Sequence, residues 1–142
     1  MPIERRANSA LASFATRLFD LSSQGPTRAL ALTAALLWIA ALFYGGRQPI
    51  AVGLIPYPFD GLAHLAAFGA LTFLFWLALF RDHPLSLVLL ISMLGALDEW
   101  HQTFLPGRAS SLYDWLFDVV AAVLIVYFLE RMMRKRFSST RK

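Results

Sequence analysis

The 142-residue chain contains no cysteine. That excludes disulfide frameworks, thiolate nucleophiles and cysteine-ligated zinc. Charge is also scarce. Asp, Glu, Lys and Arg make up 15% of the residues, where a soluble domain carries about a quarter. Acids are the rarer sign, nine against thirteen bases, for a net charge of +4. No internal repeat of about 20–50 residues is present, so solenoids and propellers are excluded.

What the chain has instead is apolar bulk. Hydrophobic residues account for 58% of it, and the mean hydropathy is +0.57. Those values point to a membrane protein, and the length suits a single domain. A helix crossing the hydrocarbon core needs roughly 20 apolar residues. Eighteen uncharged residues run from Ala29 to Gly46, and twenty from Gly61 to Phe80, among which only His64 can ionise. Leu85–Leu97 and Trp115–Leu129 form two further apolar stretches, the second interrupted by Asp118. The expected fold is therefore all-α, an integral membrane bundle of four transmembrane helices.

The breaks support these spans. Pro49, Pro56 and Pro58 mark an extended loop between the first two. Pro84 suits the first turn of the third, where a missing N–H costs little. Pro106-Gly107 ends that span, and Ser111 with Asp114 forms a capping box for the fourth. Residues 1–28 precede the spans. Leu11, Phe14, Ala15, Leu18 and Leu21 recur at helical spacing, so this segment is either a helix lying on the membrane surface or a partly unfolded tail. The basic start is too long for a cleaved signal peptide, and no small-x-small site follows it.

Charge placement sets the orientation. With both termini cytoplasmic, the inner segments hold Arg5, Arg6, Arg17, Arg28, Arg81, Arg131, Arg134, Lys135, Arg136, Arg141 and Lys142. The outer loops hold only Arg47 and Arg108. Eleven against two is a strong positive-inside bias. The basic tail, residues 131–142, then lies beside anionic headgroups and needs no nucleic-acid partner.

Depth locates a candidate site. At about 1.5 Å of rise per residue, Arg81 at the inner surface places His64 about 5 Å below the outer boundary. The same anchoring from Pro84 puts Asp98 about 9 Å deep, with Glu99, His101 and Gln102 shallower. From Glu130 and Arg131, Asp114 lies about 5 Å deep and Asp118 about 10 Å. Ionisable groups from three helices thus share one thin outer layer. Such groups normally face a bundle interior or a wet cavity. Asp98 and Gln102, and likewise Asp114 and Asp118, are four apart and share a helix face. Two carboxylates so placed repel one another, and a cation, Arg108 or a bound proton would relieve them.

These residue types fit several chemistries. Three acids and two histidines are donors suited to a divalent metal, but no H-E-x-x-H or comparable spacing is present, so neither a metal nor any other cofactor is expected. Arg108 precedes the start of the fourth span, where free N–H groups favour phosphate or carboxylate. His64, Asp98 and Glu99 could instead form an acid–base centre. The whole cluster is alternatively a polar network joining helices. Trp100, Phe104, Tyr113 and Trp115 read as an interfacial aromatic belt.

Two segments resemble the VanZ-like membrane family. D-G-L-A-H-L-A-A-F-G-A-L, Asp60 to Leu71, is similar to a signature of the form D-K-x-x-H-x-x-x-F-x-x-L. L-D-E-W-H-Q-T-F-L-P-G-R-A-S-S-L-Y-D-W-L-F-D, Leu97 to Asp118, is similar to D-E-x-x-Q-x-F-x-P-x-R-x-x-S-x-x-D with an Asn or Asp four residues on. The chain departs from the family at Gly61, where Lys is usual, and at V-V-A-A around Ala121, where a glycine-containing stretch is common. The resemblance implies a small helical membrane protein of a family associated with low-level resistance to the glycopeptide teicoplanin. It points to Asp60, His64, Asp98, Glu99, Gln102, Arg108, Ser111, Asp114 and Asp118 as site residues, with His101 at a variable position.

Taken together, residues 29–130 should form a VanZ-like four-helix domain in the bacterial plasma membrane, with the site in the outer leaflet. Its expected partners are membrane lipids and an anionic or glycan-bearing envelope ligand, such as a lipid headgroup or cell-wall precursor. An intramembrane enzyme acting on a lipid-linked substrate and a structural or assembly protein are the alternatives.

Overall fold

The computed structural model describes residues 2–48, 55 and 59–139, without the side chains of residues 2–9, 11 and 135–139. Pro49, Pro56 and Pro58, and the tail residues Arg141 and Lys142, lie outside the described residues, as do the side chains of Leu11, Arg5, Arg6, Lys135 and Arg136. The fold is all-helical, with no strand among the described residues. Its elements are α1 (Pro2–Ser23), α2 (Gly25–Gly46), α3 (Asp60–Phe80), α4 (Pro84–Gln102) and α5 (Leu112–Ser139).

Local chemistry explains most boundaries. Pro26 stands in the first turn of α2, where its ring pre-sets the helical φ and its missing N–H would have had no partner. Pro84 does the same for α4. It also pushes His83 to φ −131°, ending the previous helix. After α4, the Arg108 N–H bonds the Leu105 carbonyl at 3.1 Å across Pro106-Gly107. Gly107 has φ 78°, as the third position of a type II turn requires.

The segment before the spans is an ordered helix. Ala15, Leu18 and Ser22 are buried and Phe19 is partly so. Their spacing is the i, i+3, i+4, i+7 stripe of a helix docked along one face. Phe14 and Leu21, expected on the same apolar face, are exposed instead. The docked stripe is rotated toward Phe19 because α1 packs against α5 and α2. Its Ala15 and Leu18 join a core that also contains Leu129, Met132 and Met133.

Long-range contacts give the helix directions. Arg28 Nε donates to the Ala78 carbonyl at 2.8 Å, and Trp38 Nε1 to the Ala67 carbonyl at 3.1 Å. The numbers run oppositely, so α2 and α3 are antiparallel. The Ser111 N–H meets Glu99 Oε2, and Trp115 Nε1 meets the Ser92 carbonyl, so α4 and α5 are antiparallel too. His64 faces Asp118, and Gly69 lies opposite Ala121 and Ile125, which makes α3 and α5 parallel. The α3–α5 pair shares the most extensive contact among the described residues. Gly69 opposite Ala121 lets the backbones approach, as small residues do between membrane helices.

This alternation collects the C-termini of α2 and α4 and the N-termini of α3 and α5 at one end. The opposite end is basic. There Arg81 bonds the hydroxyls of Ser22 and Ser23 at 3.3 and 2.9 Å and stacks 4.4 Å from the Phe19 ring. The last turn of α3, Trp76–Phe80, is π-helical. Widening the turn weakens the regular carbonyl ladder, and the Ala78 carbonyl is taken by Arg28.

Among the described residues, three helices are long and apolar enough to cross a membrane: Gly25–Gly46, Asp60–Phe80 and Leu112–Arg134. This is fewer than the four spans expected. α4 has 19 residues, but Asp98, Glu99, His101 and Gln102 in its last turns lower its hydropathy. Leu30, Leu37, Leu85, Leu89, Met93 and Leu124 are exposed on the outside of the bundle, a surface suited to lipid rather than water.

Candidate functional site

The polar residues meet at the end of the bundle where α4 finishes and α5 begins. Asp118 is fully buried on the first turns of α5. It fits there because α4 has Gly95 opposite: a Cβ on Gly95 would lie 2.6 Å from Asp118 Oδ2 and 3.0 Å from its Cβ. One oxygen, Oδ1, lies 3.0 Å from His64 Nδ1. The other, Oδ2, has no hydrogen-bond partner. An ionised carboxylate only accepts, so with Asp118 ionised this hydrogen bond selects the tautomer of His64 that carries its proton on Nδ1.

The far side of the imidazole faces α4. His64 Nε2 is 4.0 Å from Glu99 Oε1. Glu99 is buried, and its second oxygen accepts the Ser111 N–H at 2.6 Å. Gln102 Nε2 donates to Asp98 Oδ2 at 3.1 Å and Glu99 Oε1 at 3.3 Å. One amide thus clips two buried carboxylates that would otherwise repel. His64, Asp98 and Glu99 each offer a donor atom within 4.8 Å of the others. Depth along the spans places the three in one layer, and the helix directions bring position 64 to positions 98 and 99.

The capping box at Ser111 is half formed. Ser111 Oγ accepts the Asp114 N–H at 3.3 Å, as an N-cap should. The reciprocal bond is absent: the Ser111 N–H goes to Glu99 rather than back to Asp114. A carboxylate from α4 therefore takes part in starting α5. The Asp114 carboxylate makes no hydrogen bond or ion pair among the described residues. Asp118 is hydrogen-bonded to His64, and no ion pair joins it to Arg108 among the described residues.

A cavity of about 230 Å³ opens beside this cluster. Its polar lining comes from Asp60, His64, Asp98, His101, Gln102 and Arg108, and its apolar wall includes Ala63, Ala67 and Phe68. Asp60 accepts the Gly61 N–H at 3.0 Å at the start of α3. Arg108, half-buried, reaches the cavity from the turn after α4. Its Nε is buried without a hydrogen-bond partner, and no ion pair joins it to the carboxylates among the described residues. His101, a lesser candidate by sequence, lines the wall and packs 5.2 Å from the Phe43 ring.

Gly95 and Phe117 are what the sequence reading missed. A lone glycine within an apolar helical run signals close approach, and Gly95 stands three residues before Asp98. Phe117 fills the space over Gly61: a Cβ at that position would overlap its ring. The aromatic belt is partly revised. Trp100, Phe104 and Tyr113 are exposed, but Trp115 bonds inward to the Ser92 carbonyl at 3.0 Å.

A model of the VanZ/LLP1 family matches residues 12–133. No curated protein and no solved structure matches the chain.

Proposed function

The chain belongs to the VanZ/LLP1 family, and from this premise we propose that it is a multi-pass protein of the bacterial plasma membrane whose cavity binds an anionic or glycan-bearing envelope ligand. Residues 29–130 form the membrane domain, with α4 as a fourth span. At about 1.5 Å per residue, the 19 residues of α4 cover nearly the ~30 Å hydrocarbon core. Its Asp98, Glu99 and Gln102 are turned inward, while Leu85, Leu89, Met93 and Trp100 face outward. Four spans return both termini to one side, and the excess of Lys and Arg makes that side cytoplasmic. The cavity then opens in the outer leaflet.

The observation that carries this reading is Arg108. A guanidinium is always charged and offers five N–H donors. This one borders a cavity, its buried Nε without a hydrogen-bond partner among the described residues, next to the start of α5, where free N–H groups also favour anions. A phosphate or carboxylate on a lipid headgroup or cell-wall precursor supplies the missing acceptor. The link to glycopeptide susceptibility rests on the family resemblance alone. The test uses the full chain in nanodiscs with phosphatidylglycerol, a polyprenyl phosphate and neutral phosphatidylcholine as probes. An anionic lipid should bind in preference to the neutral one, at least tenfold more weakly in Arg108→Ala and with intermediate strength in Arg108→Lys. A folded Arg108→Ala protein that binds every probe like the parent defeats the reading.

One observation favours an enzyme as the second reading. His64 lines the cavity with Asp118 on its Nδ1 and Glu99 4.0 Å from its Nε2, a pairing of imidazole and carboxylates suited to a general base. Ser111 is occupied as a helix cap, so a water or substrate hydroxyl is the better nucleophile. Under this reading, turnover of a lipid-linked phosphate should fall at least 100-fold in a His64→Ala, Glu99→Gln double variant. Unchanged turnover in that variant excludes it.

A further inference from the structure

We infer that His64, Asp98 and Glu99 form a binding site for a divalent transition-metal ion, with Asp118 as the residue that orients the histidine. The inference does not depend on which ligand the cavity takes. It starts from the orientation of the imidazole. Asp118 Oδ1 lies 3.0 Å from His64 Nδ1, and an ionised Asp118 takes the Nδ1–H as its donor. In that tautomer a neutral His64 carries an unshared electron pair on Nε2. That pair faces Glu99 Oε1, itself an acceptor, across 4.0 Å. Glu99 Oε1 also accepts the Gln102 amide at 3.3 Å, and a proton on Nε2 or a cation bound between the two atoms would join His64 to it.

The carboxylate–histidine–metal arrangement has this form. A ligating histidine almost always gives its other N–H to a carboxylate or carbonyl, which fixes the tautomer and makes the ligating nitrogen more basic. Asp118 is in that position, fully buried and fitted against Gly95. Glu99 is held as well: the Ser111 N–H fixes Oε2 and leaves Oε1 toward His64. The three donor atoms lie within 4.8 Å of one another. Donors held about 2.0–2.1 Å from zinc in a tetrahedron are about 3.3 Å apart, so side-chain adjustments alone close the site.

Charge points the same way. Asp98 and Glu99 are both buried, and no Lys or Arg is paired with either among the described residues. One dication neutralises the two ligand carboxylates. That is the form in which such a cluster is least costly away from water. The donor set selects the ion class. Magnesium and calcium prefer all-oxygen sites, whereas an imidazole with carboxylates suits zinc, manganese or cobalt. Three protein ligands leave a coordination position open. Since His64 and Asp98 line the cavity, that position faces the space where a ligand enters.

A proton is the competing occupant, and the experiment separates the two. The full-length chain in detergent is stripped with chelator and titrated with Zn²⁺ alone, and bound metal is counted by elemental mass spectrometry. The expected result is one equivalent per chain. Binding should be lost in His64→Ala and in Glu99→Gln, and unaffected by Asp82→Asn at the other end of the bundle. Asp118→Asn should keep the stoichiometry with about 10–100-fold weaker affinity. Co²⁺ substitution of the parent should give visible ligand-field bands of a low-symmetry nitrogen–oxygen site, a readout that needs no variant to fold. Less than a tenth of an equivalent of Zn²⁺ in the parent, no Co²⁺ spectrum, or equal binding in a folded His64→Ala protein overturns the inference.

Discussion

Replacing Gly95 with valine is expected to destabilise the bundle by about 3 kcal/mol and to separate His64 from Asp118. Two effects add. Inserting side-chain atoms into a packed interior costs about 1–3 kcal/mol. The nearest atoms here are Asp118 Oδ2, Cβ and Cγ, close to the backbone of a fully buried residue, so little can move away. Shifting Asp118 also breaks its hydrogen bond with the half-buried His64, at about 1–3 kcal/mol. Unfolding in mixed micelles of increasing SDS content measures the loss. Gly95→Ala should lie between parent and valine variant. A valine variant that unfolds with the parent would show that α4 and α5 do not meet closely at this level.

Gly61→Lys is expected to cost about 2 kcal/mol, although lysine is the residue usual in the family at this position. In this chain the space is occupied by the Phe117 ring, which must rotate outward to admit any side chain. Phe117 is partly exposed already, which makes the cost smaller than at Gly95. Combining Gly61→Lys with Phe117→Ala should recover most of the loss. Residues in contact couple by about 0.5–3 kcal/mol, and a double-mutant cycle under the same SDS titration reads that coupling directly. Purely additive effects would mean that glycine and phenylalanine are not paired.

Much of the site was legible because polarity inside an apolar chain is expensive. His64, Asp98, Glu99, Gln102 and Asp118 stood out by depth alone, and the bundle brings them together. Helix spacing also identified Ser111 as the cap of α5. What could not be read were relations set by neighbours in space. That Glu99 completes the Ser111 cap depends on the crossing of α4 and α5. The burial of Asp118 depends on a glycine 23 positions away. The π turn at Trp76–Phe80 has no mark of its own in an apolar run, and its long-range partner is Arg28 on another helix. α4 was read as a span from its apolar run, yet the residues that make its end chemically useful also take it below the hydropathy of its neighbours.

The bond from the Ser111 N–H to Glu99 has a further consequence. It fastens the chain to itself around the short stretch that contains the Leu105–Arg108 turn, so the buried carboxylate and the guanidinium ride on one closed ring. That closure limits how far the backbones carrying the two groups can separate, by the number of residues enclosed. While the bond holds, tilting of the bundle in a thinner or thicker bilayer moves the buried carboxylate and the guanidinium together.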